Sequence, residues 1–423
     1  MNLIKNVTLT IYALSDIYNL LSYARVKTFI ESNNPNPNLT IVSGDFISPS
    51  KYTNIDGGKT IMDVFDLVPI DIASFGNHEF DIDPVKLNSS LNLNLKTTFI
   101  STNIKYIANT LDYWIYHDEL TDLKLGFVGL CGNDFYQKYP IQFVTDIKIN
   151  QTLNYIKDVH KPDYLIGLTH MDLKLDLDLI DLFPQIDLIL GGHIHSYDYS
   201  KYKGVPIIRT GENAESIGQI DFYSDKSYEI NLIDISNLIP HKSIRQIYLD
   251  AENKLNQFNN VILFNLNLSY STINVRTKPE SFPKLICSLI TKYSNSDITI
   301  LNAGIFRKTT IFNSNITFGD LKSILPFEDT VVRIQMDLKD LVDGIEYANT
   351  KYKGQGGYIQ SDNSIDWIKN TYWQNKFINV TTTKLLLKGV DPNPYFTKYS
   401  TSFSDLDGIP IQDIIISYQG MTF

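Results

Sequence analysis

Cysteine is nearly missing from this 423-residue chain: there are two, Cys131 and Cys287, far apart. That excludes a disulfide framework and a thiolate metal site. Arginine is also scarce and stands at six positions: Arg25, Arg209, Arg245, Arg276, Arg307 and Arg333. With 37 Lys and Arg against 47 Asp and Glu, the formal charge is −10. Binding along a nucleic-acid backbone needs clustered basic residues, so no nucleic-acid partner is expected, although a local pocket for one phosphate is compatible with this charge. No run approaches the ~18 apolar residues of a membrane span, so no membrane segment is expected. The opening MNLIKNVTLTIYALSD has no uninterrupted apolar region leading to a small-residue cleavage site, and the chain is read as cytoplasmic. The second half also has no repeat and no low-complexity block. What is present is 43% hydrophobic residues and 20% charged ones, enough for large cores and, at ~150 residues each, two to three domains.

The first half alternates short apolar runs with helical stretches. VTLTIYAL (7–14), LTIVSGD (39–45), IDIASFGNHE (70–79), TTFIST (97–102), KLGFVGL (124–130), YLIGLTH (164–170), IDLILGGH (186–193) and VPIIRT (205–210) read as strands, many ending in a polar turn. KTIMDVFDLV (59–68) reads as helix, as does the stretch holding Leu20, Leu21, Ala24 and Phe29. This is an α/β pattern, with polar residues at the C-terminal ends of strands, where such sheets carry their sites. HKSIRQIYLDAENKLNQF (241–258) reads as a charged amphipathic helix, after which VILFNLNLSYSTINV (261–275) restarts as strand. The division is therefore placed as a first domain over 1–240, a connecting helix over 241–258 and a second domain over 259–423, with helices expected at 283–293 and 336–348.

Four of the seven histidines fall in three turns that follow apolar runs: His78 in GNHE, His170 in GLTH, and His193 and His195 in GGHIHS. Asp16 (LSD), Asp45 (SGD) and Asn77 occupy similar turns. Singly, each residue has an ordinary structural reading, since an Asp after a strand commonly caps a helix and a buried His is commonly just hydrogen-bonded. Together, imidazoles, carboxylates and an amide make a mixed nitrogen and oxygen set that suits Zn, Mn or Fe rather than Ca. A carboxylate shared by two ions is a standard device of phosphoryl chemistry.

In order, these motifs resemble those of the calcineurin-like metallophosphoesterases: D-x-(usually H), GD, GNH(E/D), H and GHxH. SGDFISPS, GNHEFD and the second half resemble the 5′-nucleotidase family within that group. There, ILNAGIFR (300–307), ITFGDLKSILPFEDT (316–330) and GGYIQ (356–360) resemble the family's C-terminal domain. The resemblance covers nearly the whole chain. It implies an N-terminal metallophosphoesterase β-sandwich flanked by helices, with a smaller α/β C-terminal domain. It implies two divalent metal ions (Mn, Zn or Fe) and a small-molecule nucleotide or related phosphate ester as substrate, with hydroxide held by the ions attacking phosphorus. Asp45 would bridge the ions. Asn77, His170 and His193 would complete one site, and Asp16 and His195 would belong to the other. His78 would stand at the leaving-group oxygen. Asn302 and Arg307 match the family's Asn-x-x-x-x-Arg element for phosphate, Arg276 matches a basic position, and Phe327 matches a base-stacking aromatic. Glu79 and Asp81 are near enough in sequence to support His ligands, with surface solvation the ordinary expectation for both.

Two departures stand out. The usual Asp-x-His is here Asp16-Ile17-Tyr18, so Tyr18 is a metal-ligand candidate of unusual kind. It ligates as phenolate, or the site holds its first ion weakly with water replacing imidazole, or the centre is impaired. The family's Gly-Gly-Asp-Gly-aromatic run is absent, its place taken by STSFSDLDGIP (400–410), where Phe403 is the aromatic on offer. Alternatives to a monophosphatase are therefore a phosphodiesterase or nucleotide-sugar pyrophosphatase, and a nucleotide-binding protein with a degenerate centre. The presence of His78, which no ligand role requires, argues against the last.

Overall fold

The strands of the first half carry apolar residues on both faces, so each sheet must be covered twice. The computed structural model describes residues 6–33, 37–92, 96–105, 109–133, 139, 141–327, 329–372, 376–389, 392–401 and 403–423. It divides into two compact units, Met1–Leu255 and Asn256–Phe423.

In the first unit, a seven-stranded sheet has the order Tyr228–Asp234, Ser216–Tyr223, Val7–Leu14, Asn38–Ser43, Ile72–Ser74, Thr98–Ile100, Thr110–Leu111. A six-stranded sheet has the order Tyr197–Tyr202, Val205–Thr210, Leu188–Gly192, Tyr164–His170, Leu123–Cys131, Trp114–Asp118. Alternation along Val7–Leu14 shows how they pack. Leu9, Ile11 and Ala13 enter a core shared with Ile166, Leu168, Leu188 and Leu190 of the other sheet. Tyr12 and Leu14 face the opposite way, onto Leu20 and Ala24 of helix Leu20–Asn33 and Ile61 and Phe65 of helix Lys59–Phe65. The second sheet repeats the pattern, with Leu165 and Ile189 meeting Leu153 of helix Asp146–Tyr155 and Leu179 of helix Leu173–Leu182. This is a β-sandwich flanked by helices, with period-two alternation feeding two cores at once.

Val7–Leu14, Asn38–Ser43 and Ile72–Ser74 run parallel, as do Leu123–Cys131, Tyr164–His170 and Leu188–Gly192. Their C-terminal ends carry the motif residues. Helix Lys242–Asn259 buries Ile244, Ala251 and Leu255, a helical spacing, and runs across the division between the units.

The second unit has a five-stranded sheet ordered Ile359–Ser361, Ile298–Asn302, Phe377–Thr383, Thr330–Asp337, Phe403–Pro410. Val331 and Leu301 pack onto Phe282, Ile286 and Ile290 of helix Ser281–Ser294, while Val332, Ile334 and Met336 pack with Leu341 and Ile345 of helix Leu338–Lys351. The stretch 261–275 is not one strand. It breaks into Ile262–Asn265 and Tyr270–Ser271, which pair with Asn315–Thr317 and Ile311–Phe312. Between them the Leu266 N–H goes to the Ser314 carbonyl and the Asn267 N–H to that of Phe423, which takes the backbone out of one continuous ladder. No helix among the described residues is long and apolar enough to cross a membrane.

Candidate metal centre

Three motif residues adopt a backbone conformation that L-residues rarely take. Asp16, two residues past Val7–Leu14, has φ 55°; Asp45, two past Asn38–Ser43, has φ 54°; His193, one past Leu188–Gly192, has φ 75°. Each such turn costs about 1–3 kcal/mol and is held by the contacts around it. The Asp16 N–H donates to the Gly44 carbonyl at 3.2 Å, the Ile17 N–H to Asp45 O at 2.9 Å, and the Asn213 N–H to Asp16 O at 2.7 Å. Gly44 (φ 80°) and Gly76 leave the necessary room, since a Cβ would run into the His170 ring at the first and the Asp45 carboxylate at the second.

The turns bring Asp16, Asp45 and His170 together, all buried, with one candidate ligand atom from each within 4.8 Å of the others. His170 Nε2 lies 3.2 Å from Asp45 Oδ2 and 3.7 Å from Asp16 Oδ1. Its Nδ1 is 2.9 Å from the Ser43 carbonyl, which can only accept, so Nδ1 carries the proton. That leaves Nε2 buried, without a hydrogen-bond partner, and facing two carboxylates. A lone pair so placed is satisfied by a cation among the three groups, and the donor set fits a divalent transition metal. In the chain alone a proton answers the same field: burial pulls His170 down, but Asp45 and then Asp16 raise it to about 10.

Asn77 and His193 lie beside this group. His193 Nδ1 is 3.0 Å from Asn77 Oδ1, and the ring stands edge-on to that of His170 at 5.4 Å. Burial and the neighbouring His170 lower His193, favouring the neutral imidazole that ligation requires. The backbone N–H of His193 donates to Asp16, at 3.2 Å to Oδ2 and 3.3 Å to Oδ1. Asp45 Oδ1 in turn accepts from the His78 N–H at 3.0 Å. The imidazole of His78 is half-buried, with Nδ1 2.5 Å from Asp81 Oδ2. Burial lowers its affinity for a proton, but Asp81 and then Asp45 more than offset this and raise it.

Tyr18 occupies the middle of the remaining candidates. Its hydroxyl is 3.0 Å from Asp16 Oδ1, 3.2 Å from Asp45 Oδ2 and 2.9 Å from His195 Nε2. Burial, then Asp45 and Asp16, hold the phenol far above its ordinary range, so in the chain alone it is a neutral hydrogen-bond donor.

One expectation is overturned. Glu79 is not solvated but wholly buried, and its carboxylate accepts from four backbone amides: Asp45 at 2.8 Å, Phe46 at 2.8 Å, Ile47 at 3.2 Å and Gly76 at 2.7 Å. It ties the loop of Asp45 to the loop of Asn77. Sequence reasoning also passed over Asn213 and Glu212, which follow strand Val205–Thr210 in the turn GEN. Asn213 Oδ1 accepts from the Tyr18 N–H at 3.2 Å, and Glu212 Oε2 is 3.5 Å from His195 Nδ1. A polar turn at a strand end was the available signal. Arg209 is buried against Asp176 at 2.5 Å, an ion pair that no motif announced.

The chain matches two family descriptions. Residues 9–197 match "Calcineurin-like phosphoesterase", and residues 261–412 match "5'-nucleotidase, C-terminal domain". The chain belongs to the 5′-nucleotidase family of calcineurin-like phosphoesterases. Among curated relatives it is 23% identical to the trifunctional nucleotide phosphoesterase YfkN of Bacillus subtilis, over 76% of this chain and 26% of that protein, so it spans about a quarter of that relative. It is 22% identical to the 5'-nucleotidase of Vibrio cholerae, over 80% of this chain and 72% of that one. Its fold is similar to that of a putative 5'-nucleotidase from Staphylococcus aureus, with a TM-score of 0.65 at 14% identity, covering 97% of this chain and 96% of the other.

The second unit of this 5′-nucleotidase family member groups the other candidates. Arg276 and Arg307, both exposed, line one cavity of about 330 Å³ together with Asn274, Thr277, Phe306 and Thr309. The Arg307 guanidinium lies 4.8 Å from the centre of the Phe327 ring. Phe327 is exposed rather than packed in the core. Asn302 ends strand Ile298–Asn302 nearly buried, its Oδ1 without a hydrogen-bond partner. It does not line the cavity of the two arginines as described. The side chain of Phe403 lies outside the described residues.

Proposed function

We propose that the chain is a metal-dependent phosphohydrolase that releases phosphate from nucleoside 5′-monophosphates or closely related esters. The observation that carries this is the buried convergence of Asp16, Asp45 and the unpartnered Nε2 of His170 in a chain of this family. Asp45, Asn77, His170 and His193 would hold a divalent cation, with Asp16 and His195 as the candidates for a second. Bound there, a divalent metal supplies Lewis acidity toward a phosphoryl oxygen. The protein's own contribution is to fix these groups and to move a proton. His78, steadied by Asp81 at Nδ1, would present Nε2 to the leaving-group oxygen. Arg307 and Arg276 would bind phosphate through planar, paired N–H donors, with Phe327 offering an open ring face to the base.

The test is phosphate release from AMP by the purified chain with Mn²⁺, before and after removal of the metal by a chelator. Turnover that disappears with the metal and returns with it supports the reading, while turnover indifferent to chelation would sink it. His78→Ala is expected to lower kcat by about a hundredfold while metal content stays that of the wild type. Equal loss of metal and activity would instead make His78 a structural residue. Arg307→Ala is expected to raise KM for AMP by about ten- to a hundredfold, the loss of one charge-assisted contact, with Arg307→Lys recovering only part. An unchanged KM in both would remove Arg307 from the substrate site.

A further inference from the structure

The geometry points to the Tyr18 hydroxyl standing in the place of one metal ion, so that the chain holds a single tightly bound divalent cation at Asp45, Asn77, His170 and His193. This rests on the phosphohydrolase reading and specifies the composition of its metal centre. Three atoms close on the phenolic oxygen: Asp16 Oδ1 at 3.0 Å, Asp45 Oδ2 at 3.2 Å and His195 Nε2 at 2.9 Å. They belong to the residues that the family resemblance assigns to the first ion and its bridge. A transition-metal ion needs such atoms at about 2.0–2.2 Å, so an ion among them competes for the position that the hydroxyl fills.

The hydrogen bonding explains why the hydroxyl persists. As donor it serves a carboxylate, and as acceptor it receives the Nε2–H of His195; with the opposite tautomer it donates to His195 Nε2 instead. In either arrangement the His195 nitrogen that would ligate is already engaged. Asp16 has further partners in the backbone N–H of His193. The other set differs at one atom. His170 Nε2 is buried without a hydrogen-bond partner, while Nδ1 is held by Ser43. Asn77 Oδ1 and His193 Nδ1 lie 3.0 Å apart in a hydrogen bond that an ion between them would replace, and Asp45 Oδ2 and His170 Nε2 lie 3.2 Å apart. Adjacent ligands of one ion with bonds of about 2.1 Å have such separations. Charge agrees as well. The buried carboxylates of Asp16 and Asp45 are neutralised by one divalent cation.

The experiment is metal counting on the full chain loaded with Mn²⁺ and freed of excess by gel filtration, with electron paramagnetic resonance of the same samples. The wild type is expected to hold one Mn²⁺ per chain and to show the resolved hyperfine lines of an isolated ion. Tyr18→His is expected to hold two, with an exchange-coupled spectrum. His195→Ala is expected to leave the wild-type count unchanged, and serves if Tyr18→His does not fold. Two ions or a coupled spectrum in the wild type, a single ion in folded Tyr18→His, or loss of the ion in His195→Ala would each overturn the proposal while leaving metal-dependent hydrolysis standing. No bound ion in the wild type would overturn the proposal and the phosphohydrolase reading together.

Discussion

Replacement of Asp45 by Asn is expected to lower phosphate release from AMP by on the order of a thousandfold, about 4 kcal/mol of barrier. Each oxygen of this carboxylate has its own task. Oδ1 accepts the His78 N–H at 3.0 Å and holds the turn that carries Asn77 and His78. Oδ2 faces His170 Nε2 at 3.2 Å and the Tyr18 hydroxyl at 3.2 Å. An amide has one acceptor oxygen and one donor nitrogen, so it cannot meet both neighbours as the carboxylate does. It also removes the negative charge that any cation at this site would meet first. Steady-state phosphate release and bound Mn²⁺, measured on the same preparation, check the expectation. A variant within tenfold of the wild type in turnover would show that Asp45 is not central to the chemistry.

The second large effect concerns stability. Glu79→Ala is expected to cost about 3–5 kcal/mol, read from urea denaturation curves with circular dichroism. The four amides of Asp45, Phe46, Ile47 and Gly76 all point at this one carboxylate. With the side chain truncated they would be buried donors without an acceptor, unless water entered the cavity. Glu79→Gln keeps the volume but offers one acceptor oxygen and turns an NH₂ toward other donors, so it should recover little. A metal affinity weakened by about ten- to a hundredfold should accompany the loss, because Glu79 connects the loops of Asp45 and Asn77. A cost below about 1 kcal/mol would mean that the loops are held mainly by their other contacts.

The legible part of this site was residue type at strand ends. Asp16, Asp45, His170 and His193 could be marked because each follows a short apolar run and a small or polar turn residue. The two-sheet sandwich was expected from the resemblance. Strand Val7–Leu14 shows why period two is not by itself a guide to exposure: it holds apolar residues on both faces, and both are buried. At 261–275 the same kind of pattern suggested one strand where there are two, because backbone partners come from 311–317 and the C-terminus, far along the chain.

Glu79 and Tyr18 mark the limit. As residue types, a Glu after GNH reads as solvated and a Tyr after Asp-x reads as an open question. Glu79 becomes a buried anchor only because amides from positions 45–47 and 76 meet at one point. Tyr18 acquires its role only because His195, 177 residues away, is folded against its hydroxyl together with Asp45. Local chemistry along the chain thus set which groups were available and that they would lie at strand ends, since side-chain identity and alternation are local properties. Which nitrogen of His170 stayed unpaired, which carboxylate became structural, and what filled the space beside Asp16 came from long-range packing, since each depends on distances between segments that adjacency in sequence does not constrain.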